Sequence, residues 1–462
     1  MAETKQFGEQ LPHLITPVPG PESVRLCQES IVSEPTSVTR FTPNAAPVFW
    51  SAAAGANVLD VDGNTYIDCT CGFGVSAIGH SCEAVCQAMA RQSHELIHAM
   101  GDVCPSTPRV RLARRLSTIL GRRHETQVLF ATTGSECVEI ALKAALLHTG
   151  KPGVIAFQYA FHGQTIGTLS ITGHDDLRSP FTPYLSPHVR HIPFPYPYRE
   201  DDQNPCFLSG DSCLTLIEDE VARSRGTSSE IGVVIVEPIQ GCAGNLIPKD
   251  SFLRGLSAIC SNNDVLLIAD EVFTGLGRTG AWLALDHAGV IADITCVGKI
   301  LGGGVPISAC IAPRDVVSSF TSDSFLALHG STFAGDPLAC SCALAVLDEM
   351  ERRDLVGHAQ RMGRLLLEGL RELKAKHPLV GDVRGRGLLA AIELVSDPVS
   401  KLPASAQAAS VVTRALRRGV ILLLTRIPYA NALGLTPSFA MTEDQMNYVL
   451  SVLDECLSEV GN

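Results

Sequence analysis

The 462-residue sequence predicts an α/β fold, a mostly parallel central sheet covered by helices, with a smaller α+β domain built from both chain ends. Between about residues 105 and 330, helix-like stretches alternate with short aliphatic runs, each ending at a polar or glycine-rich turn. The runs are QVLFAT (127–132), GVIAF (153–157), IGVVIVEP (231–238), VLLIAD (265–270) and ITCVG (294–298). The smaller domain rests on two further observations. Near the start, ANVLDVDGNTYIDCT reads as a hairpin turning at Asp62 and Gly63. From about residue 340, amphipathic helices such as CALAVLDEMERRDLVGHAQRMGRLLLEGLRELKAKH alternate with short strands near 388–394 and 419–424. The expected division is 1–75 and 331–462 for the small domain and 76–330 for the large one. The proline-rich stretch 178–200 reads as an ordered wrapping loop or a linker.

Composition narrows the chemistry. With 45% apolar and 18% charged residues the chain has the make-up of a globular protein with substantial cores. The net charge of -12, with Lys and Arg scattered along the chain, lacks the basic footprint of a nucleic-acid binder, so small-molecule chemistry is expected. The first twenty residues hold no apolar signal core, Glu3 and Glu9 argue against a transit peptide, and no apolar run is long enough to span a bilayer. A cytoplasmic protein is the expectation. Of the sixteen cysteines, none form a CxxC pair, and Cys69 with Cys71 and Cys340 with Cys342 lack histidines at zinc spacing. They read as small buried apolar side chains, and no metal is expected.

In parallel α/β sheets, ligands bind beyond the carboxyl ends of the strands. There, GLGRTG (275–280) carries the GxGxxG spacing of a dinucleotide loop. It is poorly placed for that role. Four residues, EVFT, separate Asp270 from the first glycine, and only AWLALDHAG follows before Gly289, although Asp293 lies near the distance of a ribose-binding acid. The other strand ends are richer. After QVLFA, the turn TTGSE enters a helix where Gly134 and Ser135 offer backbone amides and a hydroxyl to a phosphate, or where Ser135 simply caps the helix. Phe161 and His162 follow the next strand and, taken alone, are packing residues. Glu237 and Asp270 follow two more strands, and Lys299 follows ITCVG. A lysine after a buried strand is costly unless paired or used, which suits an amine that must bond a carbonyl carbon and move a proton; alone, it reads as one that reaches out to solvent.

These pieces together resemble a known family. GSE (134–136), FHG (161–163), EPIQG (237–241), DEVFTGLGRTG (270–280), KILGGG (299–304) and GSTFAGDPLA (330–339) are similar, in order, to the motifs of the class III, pyridoxal-phosphate-dependent aminotransferases. The likeness runs from PVFW and GANVLDVDG (47–63) through VRGRGLLAAIEL (383–394). It implies fold type I, pyridoxal 5'-phosphate as cofactor, and GLGRTG as part of a family signature. It also implies that Lys299 bonds the cofactor and then moves the proton at the substrate carbon, while Asp270 keeps the pyridine nitrogen protonated. By the same resemblance Phe161 stacks on one ring face and Val272 packs on the other, Gln240 approaches the ring hydroxyl, and His162 and Glu237 belong to the cofactor's surroundings. Gly134 and Ser135 would hold the phosphate, with Thr332 reaching over from a second subunit, which implies a homodimer with shared sites. Asp336 stands where the family usually has asparagine.

The departures concern the substrate. Members that take γ- or δ-amino acids carry an arginine after FHG, a glutamate after EPIQG and an arginine in a C-terminal motif, where this chain has Gln164, Cys242 and Gly434. Losing a charge-assisted clamp disfavours simple ω-amino acids. Arg426 either substitutes or is a surface residue, and Trp50 and Phe73 either line an apolar substrate pocket or pack in the core. The sequence thus predicts transfer of an amino group from an amine or amino acid to a 2-oxo acid such as pyruvate or 2-oxoglutarate. The alternatives are a racemase, decarboxylase or phospho-lyase on the same scaffold, or a non-catalytic dimer, against which Lys299 and Asp270 argue.

Overall fold

The computed structural model describes residues 7–35, 46–101, 103–122, 125–320, 328–425 and 428–461. The N-terminal part supplies β1 (Trp50–Ala54), β2 (Asn57–Asp60) and β3 (Thr65–Asp68), and the expected hairpin is the β2–β3 pair, with Gly63 at φ +86 in its turn. The middle supplies β4 (Thr126–Ala131), β5 (Gly153–Phe157), β6 (Val189–Ile192), β7 (Ile231–Val236), β8 (Leu266–Asp270), β9 (Ile294–Val297) and β10 (Ser308–Pro313). Among the described residues these form one sheet in the order β4-β10-β9-β8-β7-β5-β6. From β6 through β9 all neighbours are parallel, while β10 is antiparallel to both β9 and β4. Every residue of β7, IGVVIV, is buried, as expected of a β-branched run covered on both faces.

Two expectations need correction. The stretch 178–200 is more than a loop, since β6 lies within it and pairs in parallel with β5 at the sheet edge. Pro187 and Pro193 flank it, and an edge strand paired on one side tolerates them. The helix Gly134–Thr149 is capped by Thr133, whose side chain accepts from the Glu136 amide at 3.1 Å, so Ser135 is not the cap. This helix buries Ala141, Ala144 and Ala145 against the sheet, and its small residues permit a close approach.

The remaining chain adds β11 (Val380–Arg386), β12 (Leu389–Asp397), β13 (Leu402–Pro403), β14 (Val420–Ile421), β15 (Leu423–Thr425) and β16 (Ala432–Leu435). β14 pairs in parallel with β3, so strands from the two ends of the chain share one sheet, in the order β1-β2-β3-β14. The long amphipathic stretch is two helices, Pro337–Arg352 and Leu355–Lys376, broken at Asp354, a left-handed residue whose carboxylate caps the second helix through Gly357. Both helices enter a continuous apolar cluster with Leu112, Leu116, Leu388, Leu433 and Leu435.

The GLGRTG segment is a joint. Its turn places Leu276, Gly277 and Gly280 at positive φ and lays the Arg278 side chain, fully buried, into the C-terminal part. Arg278 Nη1 donates to the carbonyls of Leu388 (3.0 Å) and Pro437 (2.6 Å), the guanidinium lies 5.0 Å from the centre of the Phe439 ring, and the Leu388 amide returns a bond to the Arg278 carbonyl. A 3-10 turn, Ala284–Ala288, follows in place of the phosphate-facing helix of a dinucleotide loop. Among the described residues no helix is long and apolar enough to cross a membrane, and no group of three or more His, Cys, Asp or Glu could hold a metal ion.

Candidate active site

The sheet brings the sequence-predicted residues to one edge. β8 ends at Asp270, which stands level with Cys296 of the adjacent parallel β9, and Lys299 follows Cys296 by three residues. β7 runs beside β8 with Val236 level with Ala269, so Glu237 comes out next to Asp270. Phe161 and His162 follow β5, which pairs with β7, and Gly134 and Ser135 follow β4. β10, which the sequence did not disclose, begins at the same edge, where the Ser308 hydroxyl donates to the Thr133 carbonyl at 2.7 Å.

Two buried carboxylates organise this edge. Asp270 accepts from His162 Nδ1 at 2.7 Å through one oxygen and from the Val272 amide at 3.1 Å through the other. Because the carboxylate can only accept, the His162 proton sits on Nδ1; Nε2 is buried without a partner among the described residues. Glu237 accepts from the amides of Phe161 (2.8 Å) and Gly241 (3.1 Å), and burial pushes its carboxyl up to about 7, with His162 pulling down and Asp270 pushing up. Behind His162 lies His174, its ring 6.1 Å from that of Phe161 and held down to about 4 by burial and by His162.

Glu271, next to Asp270, faces away. It takes the amides of Ala284 and Leu285 and the Thr274 hydroxyl, and burial pushes it up to about 7. It holds the turn after the signature and has no part at the site edge.

Lys299 sits at φ 44 in the left-handed region, directly after the buried Gly298. Burial holds its ammonium below the ordinary lysine range, opposed by Cys242, Asp270 and Glu237. Its Nζ lies 4.6 Å from the centre of the Phe273 ring. Phe273 escaped the sequence reading, although its position between Val272 and Thr274 in the signature was the available signal.

The substrate-facing residues are placed otherwise. Phe73 is 68% exposed and Trp50 42% exposed, which removes the core-packing reading of both. Phe73 lies in a turn, Cys71 to Gly74, in which four successive residues have positive φ, an arrangement costly for Cys71 and Phe73. Asp68 over-determines that turn by accepting from the amide and hydroxyl of Thr70 (2.7 Å each), the Gly72 amide (3.1 Å) and His80 Nε2 (2.9 Å). Trp50 meets His80 edge-on, and Gly74 packs beside the Lys299 side chain. Gln164 and Cys242 are exposed, Gly434 is buried in β16, and Arg426 lies outside the described residues. Thr332 is exposed, in a surface segment where His329 lies 3.2 Å from Lys143 of the helix that Gly134 begins.

The profile of the aminotransferase class-III family matches residues 40–457. The chain is 33% identical to a 4-aminobutyrate aminotransferase of Mycobacterium leprae over 98% of its length and 99% of the relative's. It is 35% identical to a 5-aminovalerate aminotransferase of Pseudomonas aeruginosa, covering 92% of this chain and 97% of that one. This chain belongs to the class III aminotransferases. Solved structures agree. A Bacillus anthracis aminotransferase superposes with a TM-score of 0.86 at 28% identity, over 95% of this chain and 99% of the other. An amine transaminase from an uncultivated Pseudomonas species, in its PLP-bound form, gives 0.83 at 30% identity, over 90% and 96%. The aminotransferase therefore has the fold type I architecture and uses pyridoxal phosphate to move amino groups between an amino donor and a 2-oxo acid.

The residues at the sheet edge fit that cofactor. Gln240 Oε1 is buried and has no partner among the described residues, while its Nε2 donates to the Gln158 carbonyl at 2.9 Å. Gly134 has no side chain to crowd Val272, whose Cγ1 a Cβ there would approach to 2.9 Å. An amine, a carboxylate, an orphaned acceptor and the Gly134 and Ser135 amides that open a sixteen-residue helix thus converge on one edge.

Proposed function

We propose that this aminotransferase acts on amines or bulky amino compounds that lack a distal carboxylate, with a 2-oxo acid as acceptor. The observation that carries this reading is the neutral trio at the family's carboxylate-handling positions, Gln164, Cys242 and Gly434, beside the exposed Phe73 and Trp50. A lost charge-assisted pair weakens recognition of a substrate carboxylate by about 1.5–3 kcal/mol. That the curated relatives are named for 4-aminobutyrate and 5-aminovalerate supports the opposite substrate class, which makes the test direct. Purified, cofactor-loaded protein is given γ-aminobutyrate or a hydrophobic amine without any acceptor, and the cofactor's absorption band is followed. Conversion by the amine and not by γ-aminobutyrate is expected; the reverse order sinks the reading.

When bound, the cofactor supplies an electron sink for the carbon that loses its proton. Lys299 would hold it covalently and move the proton at that carbon, with Asp270, oriented by His162, facing the pyridine nitrogen. Two opposite charges near 4 Å at an effective dielectric of about 20 attract by roughly 4 kcal/mol, enough to keep such a nitrogen charged. Phe161 and Val272 would cover the ring faces, Gln240 would meet the ring hydroxyl, and the amides of Gly134 and Ser135 would hold the phosphate. Thr332 reaches the phosphate of a second subunit, so the working unit is a homodimer, and its compartment is the cytoplasm. Residues 76–330 form the cofactor-binding domain, with 1–75 and 331–462 as the smaller one. If Lys299→Ala retains a cofactor that borohydride fixes to the protein, the assignment of the lysine is wrong.

A further inference from the structure

The Phe273 ring is gripped by two glycines. A Cβ on Gly241 would stand 2.5 Å from Cδ1 and 2.7 Å from Cε1, and one on Gly74 would stand 2.9 Å from Cε2 and 3.1 Å from Cδ2, so the two glycines line opposite edges of the ring with no room for a side chain between. Gly74 belongs to the strained turn that Asp68 fixes, and Gly241 is held by Glu237. A ring gripped on both edges has its face set, and Lys299 Nζ lies over that face at 4.6 Å from the centre. Separations below about 6 Å bring an ammonium into the attractive field of the ring quadrupole.

We propose that Phe273 is a positioning residue for Lys299: its clamped ring is the seat that receives the lysine ammonium whenever that nitrogen is not bonded to the cofactor. The inference rests on the assignment of Lys299 as the catalytic lysine. A lysine that has released the cofactor must stay close and carry a proton, on a side chain with four rotatable bonds that would otherwise scatter. The ring supplies a place without supplying a competing acceptor. Cys242, Asp270 and Glu237 face the same amine and also favour its charged form, while burial opposes them. The ring adds to the first side of that balance.

The test uses cofactor-free protein, in which the amine is unbonded, and reads the pH midpoint of competitive acylation at Lys299 by mass spectrometry. Phe273→Leu removes the quadrupole, and pentafluorophenylalanine at 273 reverses it at nearly constant shape; both should lower the midpoint by roughly half to one and a half units. Phe273→Tyr, which keeps the ring face, should hold the wild-type midpoint. The proposal is overturned if the Leu and fluorinated variants leave the midpoint in place, or if Tyr moves it as far as Leu. Should Phe273→Leu fail to fold, the fluorinated variant decides alone. If the midpoints move as expected while Lys299→Ala still turns over, the ring contact stands and the catalytic assignment of the lysine falls.

Discussion

The two halves of DEVFTGLGRTG do different work within eleven residues. Asp270, Val272 and Phe273 face the site edge, where Asp270 meets His162 and Phe273 lies under Lys299. Glu271 and Arg278 turn away and tie the sheet to the rest of the chain, through Ala284 and Leu285 on one side and through Leu388 and Pro437 on the other. The segment is therefore under two unrelated demands, one chemical and one mechanical. Substitutions in the two halves should fail in different ways.

The largest effect belongs to the chemical half. Asp270→Asn keeps the shape and one acceptor but removes the charge proposed to face the ring nitrogen, and kcat/KM should fall by about 10³ with little change in melting temperature. Normal turnover by this variant would break the division. In the mechanical half, Arg278→Met should cost about 3 kcal/mol by leaving two buried carbonyls without their donor, measured by denaturant unfolding, while the folded fraction binds cofactor normally. A third experiment lies outside the signature. Gly434→Arg would place its Cβ in ordinary contact, 3.6 Å from Thr425, and the new cation should lower the KM for γ-aminobutyrate about tenfold.

The smallest effect is one of pH. Glu237, pushed up to about 7 by burial, keeps its proton in the folded protein while the unfolded chain releases it near 4.5. Stability from this group is present below about pH 4.5 and is lost as the pH rises toward 7. Glu237→Gln should flatten that decline, seen as a smaller difference between unfolding free energies at pH 5 and pH 8. An unchanged difference would mean that Glu237 ionises as freely in the folded protein as outside it.

The sheet edge was legible because each of its residues directly follows an aliphatic run, and runs such as IGVVIV announce buried strands through β-branching alone. The contact of His162 with Asp270 was not, since 108 residues separate them and only the parallel pairing of β5, β7 and β8 brings them together. β6 was hidden by its flanking prolines, and β10 by an antiparallel direction that the alternation of strand and helix does not suggest. Phe73 and Trp50 were ambiguous because an aromatic in a short segment looks the same in a core as at an opening. Phe73 is carried outward on a left-handed turn that the hydrogen bonds of Asp68 fix and that no periodicity encodes.

The pairing of β3 with β14 also has a consequence for synthesis. Ile67 donates to the Gly419 carbonyl and stands level with Val420, about 350 residues later in the chain. At the usual elongation rates of about 5–20 residues per second, the first strands wait roughly 20–70 seconds on the ribosome before their partner emerges. For that interval Ile67, fully buried in the finished fold, lacks the later residues of its apolar cluster, such as Leu433 and Leu435. A nascent chain of this aminotransferase therefore leaves β3 open to chaperones, and to misassociation, until β14 emerges.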